Sequence, residues 1–162
     1  MRNRCVWAYS TPWGEIVIEC VDQMIEKVYL PGCSVPETSR WEETSILQQA
    51  GQQLREYLNL QRMEFLLPIH PHGTPFMKQV WECLRKIPYG ETITYKQIAE
   101  DLNRTFAYRA VGMANARNPL AIFIPCHRVL GTDGSLTGFG GGLKMKQGLL
   151  DLEQKGIFQK LF

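Results

Sequence analysis

No stretch of the chain approaches the run of about eighteen apolar residues that crosses a bilayer. The start, Met1-Arg-Asn-Arg-Cys-Val-Trp, lacks the apolar core of a secretory signal. The cysteines number five, an odd count, with no close pair among them. That pattern argues against a disulfide framework and for a reducing compartment. There is no internal repeat, no low-complexity tract and no basic localisation run. What is present is an ordinary globular composition over 162 residues, 44% hydrophobic and 21% charged, enough for one or two domains with real cores.

The net charge of +2 hides an asymmetry. Residues 1–81 hold 7 Lys+Arg against 9 Asp+Glu, and residues 82–162 hold 11 against 7, so the halves stand at −2 and +4. No acid lies between Asn103 and Thr132, whereas Arg104, Arg109, Arg117 and Arg128 do. A phosphate backbone attracts such a stretch. A solvated surface that happens to lack acids is the competing reading.

The first forty residues read as strands. Val6 to Tyr9, Glu15 to Cys20 and Ile25 to Leu30 are β-branched or aromatic, with Pro12-Trp-Gly and Pro31-Gly as turns, which predicts an antiparallel sheet. Ile46, Leu47, Ala50, Leu54, Tyr57 and Leu58 have helical spacing. Met63 to Leu67 reads as a further strand, and His70-Pro-His-Gly-Thr-Pro as a linker. The expected boundary separates residues 1–72 from 73–162. Beyond it, Thr74-Pro caps a helix with Phe76, Val80, Trp81, Leu84 and Ile87 on one face. Two short helices, near Thr94–Leu102 and Tyr108–Arg117, suggest a helix-turn-helix. The second is small-sided through Ala110, Gly112, Ala114 and Ala116, which fits either a closely approached partner or ordinary helix packing.

The most informative stretch is Asn118-Pro-Leu-Ala-Ile-Phe-Ile-Pro-Cys-His-Arg-Val. An apolar run, Leu120 to Ile124, reads as a buried strand turning at Pro125 to present Cys126, His127 and Arg128. A neighbouring base and cation favour the thiolate, the nucleophilic form of cysteine. Six of the twelve residues from Gly131 to Gly142 are glycine, so this segment lets backbone approach a flat ligand without regular structure of its own. It lacks the Gly-Lys-Ser/Thr ending of a phosphate-binding loop. A final helix is expected from Leu143 to Glu153. A carboxylate near a helix C-terminus gains nothing from the dipole, which suits a Glu153 turned inward to hold His127.

From about Phe76 to Glu153 the chain resembles the O6-alkylguanine-DNA alkyltransferases, also called methylated-DNA–protein-cysteine methyltransferases. The resemblance rests on Ile124-Pro-Cys-His-Arg-Val, Gly90-Glu-Thr-Ile-Thr-Tyr, Arg109-Ala-Val-Gly, Asn118-Pro, Gly141-Gly-Leu and Leu149-Leu-Asp-Leu-Glu. It implies an α+β fold: a small N-terminal α/β domain with an antiparallel, ribonuclease H-like sheet, and a mostly helical C-terminal domain carrying a winged helix-turn-helix. It also implies irreversible alkyl transfer from O6-alkylguanine in duplex DNA to Cys126, once per molecule and with no cofactor. His127 would be the base acting through a water, Glu153 its orienting group, Asn118 the brace of the turn, and Tyr95 a proton donor to the guanine. Arg109 would fill the stack after base flipping, with Ala110, Gly112, Arg117 and Arg128 also at the DNA, in the minor groove. Val129, Phe139 and Gly140 would line the pocket. Family members often have Tyr-Ser where this chain has Phe139-Gly140, so two hydroxyls are absent there and an aromatic face is kept.

Some members hold a structural zinc in the N-terminal domain. Cys5, Cys20, His70 and His72 are eligible ligand types, but their spacing is irregular and Glu26 stands where a histidine ligand would align, so no metal is expected. The expected protein is a monomer with no membrane contact, in a prokaryotic cytoplasm rather than a nucleus. A non-catalytic damage-binding protein on the same scaffold is the alternative, and a cysteine hydrolase a third. The first departs from the present acceptor Cys126, and the second leaves Arg109 and Tyr95 unexplained.

Overall fold

The computed structural model describes residues 2–161. Contacts divide the chain into two units, Met1–His72 and Gly73–Phe162.

The N-terminal unit is a four-stranded sheet with one helix. Strands β1 (Arg4–Thr11), β2 (Gly14–Val21) and β3 (Met24–Tyr29) form an antiparallel meander where the β-branched runs predict it. The short strand β4 (Arg40–Trp41) adds in parallel to β1, giving the order β3-β2-β1-β4. Nothing in a two-residue strand marks it in sequence. Helix α1 (Ser45–Leu58) buries Ile46, Leu47, Ala50, Leu54 and Tyr57 toward the first three strands. The strand expected at Met63–Leu67 does not form. Leu66 is exposed, and Pro68 lacks the N–H a ladder needs; pairing is confined to one bridge between Ile25 and Ile69.

The C-terminal unit is mostly helical. Helix α2 (Pro75–Arg85) starts as expected: Pro75 sits at its first position and the Thr74 hydroxyl accepts from the Met77 N–H. Its buried stripe is Val80, Trp81 and Leu84. The Trp81 indole N–H donates to the Ala114 carbonyl at 2.9 Å and so pins α4 (Tyr108–Ala116) to α2. Helix α3 (Tyr95–Asp101) opens with a reciprocal cap between Thr94 and Gln97, which makes Tyr95 its first helical residue. Helices α3 and α4 form the helix-turn-helix.

Two elements differ from the sequence expectation. The apolar run Leu120 to Ile124 is a buried turn and not a strand. The Ile124 N–H bonds back to the Leu120 carbonyl at 2.8 Å, and Ile122 takes a left-handed φ of 77°, strained for a β-branched residue. Helix α5 (Leu143–Leu161) runs two turns beyond Glu153. Gly156 allows this: a side chain there would collide with Tyr89, which lies against the helix backbone.

Candidate active site

The site is assembled by a short turn, two helices and a two-residue strand pair. Cys126, His127 and Arg128 form one 3-10 turn, all buried. Directly after it, β6 (Val129–Leu130) pairs in parallel with β5 (Ile93–Thr94). Because α3 begins right after β5, this pairing sets Tyr95 level with Gly131, at the start of the glycine-rich segment.

Asn118 braces the turn from the other side. Its side-chain amide donates to the Ile124 carbonyl at 2.8 Å, and its carbonyl oxygen accepts from the Leu120 N–H at 3.0 Å. Asn115 on α4 donates to the Cys126 carbonyl at 3.4 Å. Two asparagines thus join the turn that carries Cys126 to the helix-turn-helix. Asn118 is legible in the sequence; Asn115 is not, being hidden among small residues of α4.

Helix α5 supplies the charges. Its buried stripe is Met145, Lys146, Leu149, Glu153 and Gly156, a helical spacing in which two of five positions are ionisable. Both Glu153 oxygens lie 3.2 Å from His127 Nε2. Arg128 also binds this carboxylate, through Nε at 2.8 Å and through Nη2, and gives Nη1 to the Ile87 carbonyl at 2.7 Å. Lys146 Nζ donates to the carbonyls of Val129 at 2.7 Å and Thr137 at 3.2 Å. Lys146 is missed in the sequence because a search for apolar periodicity passes over lysine.

Arg128 corrects an expectation. Its place in the acid-free stretch puts it at the DNA, yet its guanidinium is buried and occupied by Glu153 and Ile87. The acid that balances it is distant in sequence.

Electrostatics follow from burial. Burial pushes the Cys126 thiol upward, while hydrogen bonding from Asn118 and the Lys146 charge act against it. Burial holds His127 below the usual imidazole range despite Glu153, so the ring is neutral at pH 7. Burial opposes ionisation of Glu153, but His127 and Arg128 outweigh it and the carboxyl sits below its usual range. Burial also lowers Lys146, with Cys126 acting to raise it. His127 Nδ1, fully buried, has no hydrogen-bond partner among the described residues. A neutral imidazole with Nε2 held by a carboxylate and Nδ1 unengaged can accept a proton from a nearby thiol.

The remaining predicted residues fall into two places. Arg109 and Ala110 on α4 and Arg117 directly after it are exposed, with Met113 and Ala116 completing an outward face free of acids. Gly112 is half-buried, and a side chain there would meet the Tyr95 ring at 3.8 Å, so its bare side faces Tyr95. Tyr95 is half-buried, with its hydroxyl 2.5 Å from that of Thr137 in the glycine-rich segment. Val129 is fully buried in β6, Phe139 is half-buried, and Gly140 is exposed in the same loop.

A buried cysteine tied to a histidine–glutamate pair, beneath a helix-turn-helix with a basic outer face, defines a DNA-directed protein with a nucleophilic cysteine. Residues 75–155 match the family model for the DNA-binding domain of 6-O-methylguanine DNA methyltransferase. The chain is 50% identical over 116 residues to the methylated-DNA–protein-cysteine methyltransferase of Methanosarcina barkeri, covering 72% of this chain and 73% of that protein. It is 40% identical over 158 residues to the constitutive one of Bacillus subtilis, covering 93% and 96%. The crystal structure of Mycobacterium tuberculosis OGT in complex with DNA is similar at a TM-score of 0.88 and 34% identity, over 93% of each chain. The chain belongs to the methylated-DNA–protein-cysteine methyltransferase family.

Proposed function

We propose that this protein repairs alkylated duplex DNA by direct reversal, moving the alkyl group of O6-alkylguanine onto Cys126 once per molecule. The observation that carries the residue roles is the His127 ring, held at Nε2 by Glu153 and unengaged at Nδ1, in the same turn as Cys126. His127 takes the thiol proton through a water at Nδ1; a buried polar atom without a protein partner is the kind of group that ordered water satisfies. The sulfur attacks the alkyl carbon, the S–C bond forms, and the C–O6 bond breaks with its electrons passing to the guanine. Tyr95 donates its hydroxyl proton to the departing ring, and Thr137, 2.5 Å away, orients that hydroxyl. The products are a thioether and an unmodified guanine.

The target atom is hidden in a duplex, so the nucleotide is flipped out. Arg109, exposed at the start of α4, enters the space it leaves; Ala110 and Arg117 lie against the backbone. A relative of 34% identity solved in complex with DNA supports DNA as the partner. Val129, Phe139 and Gly140 border the guanine, with the Gly140 N–H available to its oxygen. Among the described residues no helix is long and apolar enough to cross a membrane. Bacterial and archaeal relatives favour a prokaryotic cytoplasm.

Incubation with O6-benzylguanine and then intact-protein mass spectrometry tests the reading. One benzyl group per chain is expected, located on Cys126 and absent from Cys126→Ala. Demethylation of duplex DNA by Cys126→Ala would sink it. Binding of damaged DNA without an adduct would point to a non-catalytic damage binder, and turnover without an adduct to a hydrolase.

A further inference from the structure

Away from Cys126, the N-terminal unit gathers three metal-ligating side chains at one end of β3. The Ile25 N–H donates to the Pro68 carbonyl and the His70 N–H to the Ile25 carbonyl, both at 2.8 Å, so residues 68–70 run beside β3. There β3 carries a bulge: Cys20 pairs with Ile25 and Glu19 with Lys27, leaving Glu26 without a partner across the ladder. Glu26 is 7% exposed. His70 and His72 flank Pro71, and alternate residues of an extended chain face the same side.

The geometry is convergent. Glu26 Oε1 lies 3.2 Å from His70 Nδ1, and Oε2 lies 3.0 Å from His72 Nε2. One ligand atom from each residue falls within 4.8 Å of the other two. Tetrahedral coordination with bonds of about 2.0–2.1 Å spaces neighbouring donors about 3.3 Å apart; each histidine meets its own oxygen of the Glu26 carboxylate near that spacing. The histidines are half exposed, which leaves a path for entry. Burial opposes ionisation of Glu26, but hydrogen bonds from His72 and His70 outweigh it and keep the carboxyl below its usual range.

We propose that Glu26, His70 and His72 bind one divalent first-row cation such as zinc, with the fourth position open to water. Two imidazoles and a carboxylate are a donor set for such ions. The ion clamps the segment ending the N-terminal unit onto β3. This site does not include the cysteine pair eligible by sequence. Cys5 faces Cys20 across β1 and β2, and the same row continues to Ile25 and then Ile69, neither of which can ligate. Glu26 and His70 each stand one residue off that row. Glu26, which counts against a metal in the sequence, is the anion at the centre of the cluster.

The test uses the full chain freed of metal with a chelator and titrated with zinc by calorimetry, and with cobalt(II) by absorption. One ion per chain is expected, with tetrahedral cobalt bands in the visible and no thiolate charge-transfer band in the near ultraviolet. Zinc should raise the unfolding midpoint of the wild type. Both effects should vanish in His70→Ala/His72→Ala, whose altered side chains are half exposed, while that variant still takes benzyl onto Cys126. Glu26→Gln, which keeps the shape of the buried side chain, should also lose the ion. The proposal is overturned by absence of zinc binding, by equal binding in the double histidine variant, or by a thiolate band that places the ion on cysteine.

Discussion

Lys146 and Glu153 lie two turns apart on the buried side of α5 and carry opposite charges to the same short turn. Glu153 holds His127 and Arg128 within the turn, and Lys146 holds the carbonyl of Val129 just after it. One helix therefore holds His127 and also places a cation whose charge favours the Cys126 thiolate. Glu153→Gln should destabilise the chain by about 3–5 kcal/mol, because Arg128 is left as a buried cation without its anion. Denaturant unfolding measures it, and pairing Glu153→Gln with Arg128→Met should recover part of the loss. A Glu153→Gln protein as stable as the wild type would contradict the arrangement.

Lys146 has a separable effect. Its charge acts against the burial that raises the Cys126 thiol. Lys146→Met keeps most of the length of the side chain and removes the charge, so the pH at which benzyl transfer reaches half its maximal rate should move upward. The pH–rate profile with O6-benzylguanine reads this directly. An unchanged profile with only a lower plateau would assign Lys146 a purely structural part.

Acid should weaken the fold through the same cluster. His127 titrates below its ordinary 6.5 because it is buried, so unfolding takes up a proton as pH falls from 6.5 toward the folded value. Glu153 is lowered from 4.5 by His127 and Arg128 against burial, so its contribution holds above that value and is lost below it. Both losses have the same sign. The unfolding midpoint should fall steadily from about pH 6.5 downward, and alkyl transfer should fall as His127 becomes protonated. A flat midpoint down to about pH 4 would exclude a buried neutral His127.

Arg109 should matter only where a base must be flipped. Arg109 is exposed at the start of α4, outside the buried turn that carries Cys126. In Arg109→Ala the rate on duplex O6-methylguanine should drop by ten-fold or more, about 1.4 kcal/mol at least, while the rate with free O6-benzylguanine stays near wild type. Equal losses on both substrates would remove the flipping role.

Much of the fold and site is legible because it obeys local rules. The β-branched runs of β1 to β3, the Thr74-Pro75 start of α2 and the Cys126-His127 sequence all announce themselves. What escapes is set by residues distant in the chain. Arg128 looks like a surface cation until Glu153, 25 residues on, is brought beside it. Lys146 looks like one of several exposed lysines on α5, yet it is fully buried under two carbonyls. The left-handed Ile122 goes against its own residue preference, and only the hydrogen bonds of Asn118 and Leu120 around it explain why the apolar run folds back rather than extending.

The near-complete burial of Cys126 also governs the fate of the alkylated protein. The residue is only 5% exposed, in a turn clamped by Asn115, Asn118 and the α5 charges. An alkyl group on Cys126 would add volume within this clamped turn, and overpacking of a buried site costs typically about 1–3 kcal/mol. On the proposed reaction the spent molecule should be less stable than the fresh one and open more readily to proteolysis. The same tight turn that holds the cysteine would then give the used protein a shorter life.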